Sequence, residues 1–72
     1  MDYVIREAAD FGKAVAEFRT LRGCSQGLLA EQIGVHRSYL SALERGHVTT
    51  VVERLFAALS ALDVDVVVRS RT

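Results

Sequence analysis

Three glycines, Gly23, Gly34 and Gly46, each stand just after a run with helical periodicity, and no proline occurs anywhere in the chain. A left-handed residue that ends a helix is least strained when it is glycine. The punctuation therefore divides the chain into short helices joined by tight turns. The first helix is expected from about Ala8 to Arg22, with Phe11, Val15 and Phe18 at i, i+4 and i+7 forming one apolar stripe. Gly12 weakens its first turn slightly. The second begins after Ser25, a good N-cap, and carries Leu29, Ala30 and Ile33 before Gly34. The third runs from about Arg37 to Arg45, with Val35, Leu40 and Leu43 pointing inward. The fourth is expected to start at Thr50, where Thr50 and Glu53 have the spacing of a capping box. Val52, Leu55, Phe56, Leu59 and Leu62 make its apolar face.

After Leu62 the period changes. Asp63 to Arg69 alternates and is β-branched, which is strand chemistry, and Tyr3-Val4-Ile5 has the makings of a second, shorter strand. An isolated strand is unstable in water. The segment from Val64 to Val68 therefore pairs either with Tyr3–Ile5 or with the same segment of another subunit. Val64, Val66 and Val68 form an apolar face on a chain too small to bury it alone, which points to an intermolecular sheet.

At 72 residues the chain makes a single domain spanning 1–72. A domain this short buries only about 60% of its unfolded surface, yet half of its residues are hydrophobic. A subunit interface is the simplest destination for the excess. Nine basic and nine acidic side chains balance, so any positive surface is local, and binding to an anionic membrane is disfavoured. The single Cys24 has no partner for an internal disulfide, and a small secreted domain normally carries several. It reads as a small buried hydrophobe. No signal peptide or membrane span is evident, so a reducing, cytoplasmic setting is expected.

His36 and His47 are eleven residues apart with Cys24 further upstream, which matches no zinc pattern. No serine has a His and Asp constellation around it, and there is no glycine-rich phosphate loop. Neither a cofactor nor an enzyme activity is expected.

Two short helices joined through Gly34, the second ending at Gly46, have the layout of a helix-turn-helix over about 26–45. Ala30 provides the small side chain that the tight turn needs, and Leu40 and Leu43 anchor the second helix by one face. The run from Ser25 to Gly46 resembles the Cro/C1-type (Xre) helix-turn-helix family. Gln26, Ala30, Gly34, Leu40, Leu43 and the ending Glu44-Arg45-Gly46 all fall in register, and the resemblance extends over about Phe11 to Leu62. It implies an all-α, four- to five-helix, lambda-repressor-like DNA-binding domain, here with a short C-terminal strand over about 64–69 that pairs across a dimer. The Tyr3-Val4-Ile5 segment, the Phe11-Gly12 pair and the terminal strand resemble most closely the HipB-like antitoxins, whose dimers repress their own operon and bind a HipA-like kinase toxin.

The resemblance also implies residue roles. Arg37, Ser38, Ser41 and Ala42 match base-reading positions, with Arg37 suited to guanine O6 and N7. Ser25, Gln26, His36, Tyr39 and Arg45 match contacts to the DNA backbone, Gln26 at a helix N-terminus that favours phosphate. Arg19 and Glu44 match a structural pair tying the first helix to the recognition helix. Two departures, Gly27 for a polar helix former and Ala42 for a longer polar reader, concentrate base readout on Arg37. The expected partners are an inverted-repeat operator in double-stranded DNA, a second copy of the chain, and a HipA-like toxin. The expected place of work is the operator on the bacterial nucleoid. A stand-alone Xre-type repressor and a protein-binding module that has lost DNA binding are the alternatives; the latter draws on the neutral charge and Ala42.

Overall fold

The computed structural model describes residues 1–72 as a strand, four helices and a second strand: β1 (Asp2–Ile5), α1 (Asp10–Leu21), α2 (Gln26–Ile33), α3 (Arg37–Glu44), α4 (Thr50–Ala61) and β2 (Val66–Arg69). All four helices end in the same way. The backbone N–H donors of Cys24, Val35, His47 and Val64 reach back to the carbonyl oxygens of Arg19, Ala30, Ala42 and Leu59 at 3.0–3.3 Å. This wraps the last carbonyls of each helix around one left-handed residue. Gly23, Gly34 and Gly46 fill that position for the first three helices, and Asp63, with φ of 58°, fills it for α4.

The helix starts are more varied. Asp10, rather than Ala8, opens α1, and its Oδ2 accepts from the backbone N–H groups of Arg6 and Glu7 at 2.9 and 3.1 Å, closing the turn that leads out of β1. Those hydrogen bonds, that from Arg6 first, hold the Asp10 carboxyl below its ordinary range against the opposing effect of burial. Ser25 caps α2 as expected, its Oγ accepting from Leu28 N at 3.1 Å. The cap of α4 is Thr49, whose Oγ1 accepts from Val52 N at 3.3 Å. The capping box expected at Thr50 does not form, because Thr50 is already the first helical residue.

The small core consists of Ile5, Ala14, Ala30 and Leu40, each at most 3% exposed. Helices α1 and α3 approach so closely at Gly12 that a Cβ there would overlap the Leu43 carbonyl. The expected apolar face of α4 divides in two: Val52, Phe56 and Leu59 are half-buried, whereas Leu55 and Leu62 are exposed. Phe56 meets Phe11 edge to face, with ring centroids 6.0 Å apart.

The C-terminal strand begins at Val66, so Val64 lies in the connection before it, and its partner is β1 of the same chain. The pairing is antiparallel, with Tyr3 opposite Val68 and Ile5 opposite Val66, and the Arg69 guanidinium grips the Asp2 carboxylate at 2.9 and 3.2 Å at the end of the ladder. Val66 and Val68 are thus half-buried on the side of Ile5, covering this chain's own core. The all-α expectation is amended accordingly, since a two-stranded sheet closes the domain. No helix is long and apolar enough to cross a membrane.

Candidate nucleic-acid interface

Helices α2 and α3 are joined by Gly34, Val35 and His36, with Gly34 left-handed at φ of 77°. Ala30, 2% exposed, lies where the two helices meet, and Leu40, 1% exposed, plants α3 on the core. This is the two-helix geometry inferred from the spacing of Ala30, Gly34 and Leu40.

A polar clamp fixes the angle of α3. Glu44, in its last turn, takes the Arg19 guanidinium in a two-pronged grip, with Nε to Oε2 at 2.7 Å and Nη2 to Oε1 at 3.0 Å. Arg19 also donates through Nη1 to the Cys24 carbonyl oxygen at 2.7 Å, and Gln26 donates through Nε2 to Glu44 Oε1 at 2.9 Å. Side chains of α1 and α2 therefore converge on the one carboxylate of α3, and Arg19 also ties in the α1–α2 turn through the Cys24 carbonyl oxygen. The side chains of Arg19 and Glu44 are 17% and 6% exposed, and no buried side-chain nitrogen or oxygen lacks a partner. Hydrogen bonding from Arg19 holds the Glu44 carboxyl below the usual carboxylate range. Burial opposes this effect, and the Gln26 amide adds to it. The same pairing raises Arg19.

The clamp changes the reading of Gln26. It stands at the N-terminus of α2 as expected, but its amide is turned inward onto Glu44 and one of its N–H donors is occupied there. Its backbone N–H remains at the helix start for an anion. The Ser25 cap and the family resemblance placed Gln26 at the helix N-terminus; neither carried a signal for a partner 18 residues away.

The outer face of α3 is open. Arg37, Ser38, Tyr39 and Arg45 are exposed, Ser41 and Ala42 are half-buried, and His36 is exposed just before the helix. Arg45 reaches back one turn to Ser41, Nη1 to Oγ at 3.3 Å. Ala42 and Tyr39 also border a pocket of about 460 Å³ between α3 and α4. Ser25 is exposed, and its hydroxyl oxygen serves as the α2 cap. Cys24 is half-buried rather than buried, its Sγ 3.5 Å from the Ser25 carbonyl oxygen. No group of three or more His, Cys, Asp or Glu side chains is placed to hold a metal ion.

The arrangement is a rigid platform with one helix offered to solvent along its length. Its first-turn N–H groups and Arg37 lie at one end and Arg45 at the other. An α-helix presented this way fits the major groove of B-form DNA. Comparison with known proteins gives the same result. The helix-turn-helix family model matches residues 15–68, well over half of the chain. No curated protein and no solved structure gave a match. The chain belongs to the Cro/C1-type helix-turn-helix family of DNA-binding regulators.

Proposed function

We propose that the protein is a homodimeric, sequence-specific repressor that acts as the antitoxin of a HipBA-like module, repressing its own operon and neutralising a HipA-like kinase toxin. The observation that carries the DNA-reading part is the clamped α3, with Arg37 and Ser38 exposed at its leading end. Arg37 reads a guanine edge, which is worth about 1–3 kcal/mol of discrimination. Ser38, Ser41 and Ala42 lie alongside it, Ala42 offering only its methyl group. Ser25, the backbone N–H of Gln26, His36, Tyr39 and Arg45 contact phosphates on either side. A two-fold pair of such helices about 34 Å apart selects an inverted repeat, and occupancy of a promoter blocks transcription.

The antitoxin role rests on the resemblance of both termini to HipB-like proteins. Dimerisation rests on the apolar surface that the chain leaves uncovered, to which Val64 and Val67 contribute, while Val66 and Val68 turn towards the chain's own core. The experiment is selection from a random DNA pool, with wild type and Arg37→Ala in parallel. An inverted repeat enriched by wild type and relaxed by the variant is expected. Failure of wild type to enrich any sequence would favour a protein-binding module, a reading that draws on the balanced charge and on Ala42. Co-purification of a kinase with the tagged protein tests the antitoxin role separately.

A further inference from the structure

We propose that the outer face of α4 is the seat of the second copy, with the two α4 helices packed antiparallel across the two-fold axis. This rests on the homodimer reading above and specifies the surface that reading leaves open.

Helix α4 carries two apolar stripes. The inner one, Val52, Phe56 and Leu59, is half-buried on its own chain. The outer one is Val51, Leu55, Ala58 and Leu62, spaced i, i+4, i+7 and i+11, and all four are exposed: Val51 by 76%, Leu55 by 58% and Leu62 by 71%. A helix lying on a solvated surface has one apolar face. A second face with this spacing is the seam along which another helix lies. The need is general to the molecule, since eleven large hydrophobic side chains are exposed against four apolar residues buried. The uncovered surface also continues past the helix to Val64, 47% exposed.

The stripe is complementary to itself, which selects a second copy over an unrelated protein. Laid antiparallel, Leu55 meets the partner's Ala58 and Val51 meets the partner's Leu62, so at the centre of the seam a large side chain lies against a small one on each side of the axis. Ala57, Ala58 and Ala61 keep the helix slim enough for close approach. The helix dipoles agree as well. Asp63 is an acidic residue at the C-terminal end of its own helix, where the dipole disfavours it. In the antiparallel pair it lies beside the N-terminus of the partner's α4, where the dipole favours it.

The test is the oligomeric state of the full chain by sedimentation, with two variants. Wild type is expected to be a dimer. Leu55→Arg, at an exposed position, is expected to weaken self-association at least a hundredfold and to keep its helical circular dichroism. A Val51→Cys, Leu62→Cys chain carrying Cys24→Ser is expected to be joined into a covalent dimer by a short bis-maleimide. If Leu55→Arg proves unfolded, the cross-link alone decides, and its failure in a dimeric sample overturns the antiparallel seam. A Leu55→Arg protein that stays dimeric and still selects an inverted repeat overturns the surface but leaves the repressor reading standing. A monomeric wild type overturns both. A monomeric wild type that captures a kinase through this face, with capture lost in Leu55→Arg, assigns the face to that partner instead.

Discussion

Glu44 concentrates more of this structure in one side chain than any other residue. Its carboxylate receives Arg19 twice and Gln26 once, while Arg19 also holds the Cys24 carbonyl. Because its folded-state pKa is depressed, its contribution to stability is present above the unfolded value and lost as the pH falls through the folded one. Wild type is therefore expected to lose stability as the pH falls from about 5 towards 3. Thermal melts of Glu44→Gln over the same window should start lower at neutral pH and fall less steeply. Parallel pH profiles for the two proteins would remove the clamp as a source of stability. Gly12 is under a second tight constraint. Replacing it with alanine gains about 1 kcal/mol of helix propensity, but the added methyl would overlap the Leu43 backbone. Overpacking wins, and Gly12→Ala should be destabilised by about 2 kcal/mol or more. Gly27 is the contrast, because a Cβ there meets nothing within 4 Å. Gly27→Ala should gain about 0.5–1 kcal/mol, and denaturant midpoints of the two variants moving in the same direction would contradict this account.

Among the elements, the end of α4 is the weak one. Three helices close on glycine, but α4 closes on Asp63 at φ of 58°, a conformation costly to a residue with a Cβ and an acidic charge misplaced at a helix C-terminus. Asp63→Gly should gain about 1 kcal/mol in the isolated domain, a rise in Tm of roughly 4–8 °C. An unchanged or lower Tm would mean that Asp63 is stabilised by something outside its own helix, such as the α4 N-terminus of a second copy. The first three helices were legible in the sequence because periodicity and a closing glycine agree at each one. At α4 the signals compete. Thr49 and Thr50 are both competent caps, and Glu53 forms a box pattern only with Thr50, although the chain turns at Thr49. Its apolar positions make two stripes, and spacing alone does not say which one faces the core. The partner of β2 was misjudged: of the two alternatives the apolar face of Val64, Val66 and Val68 pointed to another subunit, whereas Val66 pairs with Ile5 of its own chain, a contact decided by closure of nearly the whole chain. The Arg19–Glu44 pair was legible through the family pattern, whereas the Gln26 contact was not, because Gln26 also fits a helix start that faces phosphate.

Of the whole molecule's nine basic side chains, matched by nine acidic ones, only those that reach phosphates set how DNA binding responds to salt. Each phosphate neutralised by a bound cation steepens the dependence of log K on log salt by about 0.9. On the open face of the helix-turn-helix, Arg37 and Arg45 are exposed, while Glu31 is the exposed acid of α2. Arg19, Arg69 and Lys13 are already engaged with Glu44, Asp2 and Asp10. A dimer therefore brings at most about four arginines to the DNA, and those that read bases release fewer counterions than those that hold phosphates. The expected slope on a specific inverted repeat is about −2 to −4, shallow for a dimeric repressor. Arg45→Ala should reduce its magnitude by about 2, one phosphate per copy, and weaken all sequences alike. Arg37→Ala should instead flatten the preference between sequences. A wild-type slope near −8 would mean that cations outside this face, such as Arg22, Arg54 or Arg71, also lie along the duplex. A slope that steepens when a toxin partner is added would show that the partner contributes basic surface of its own.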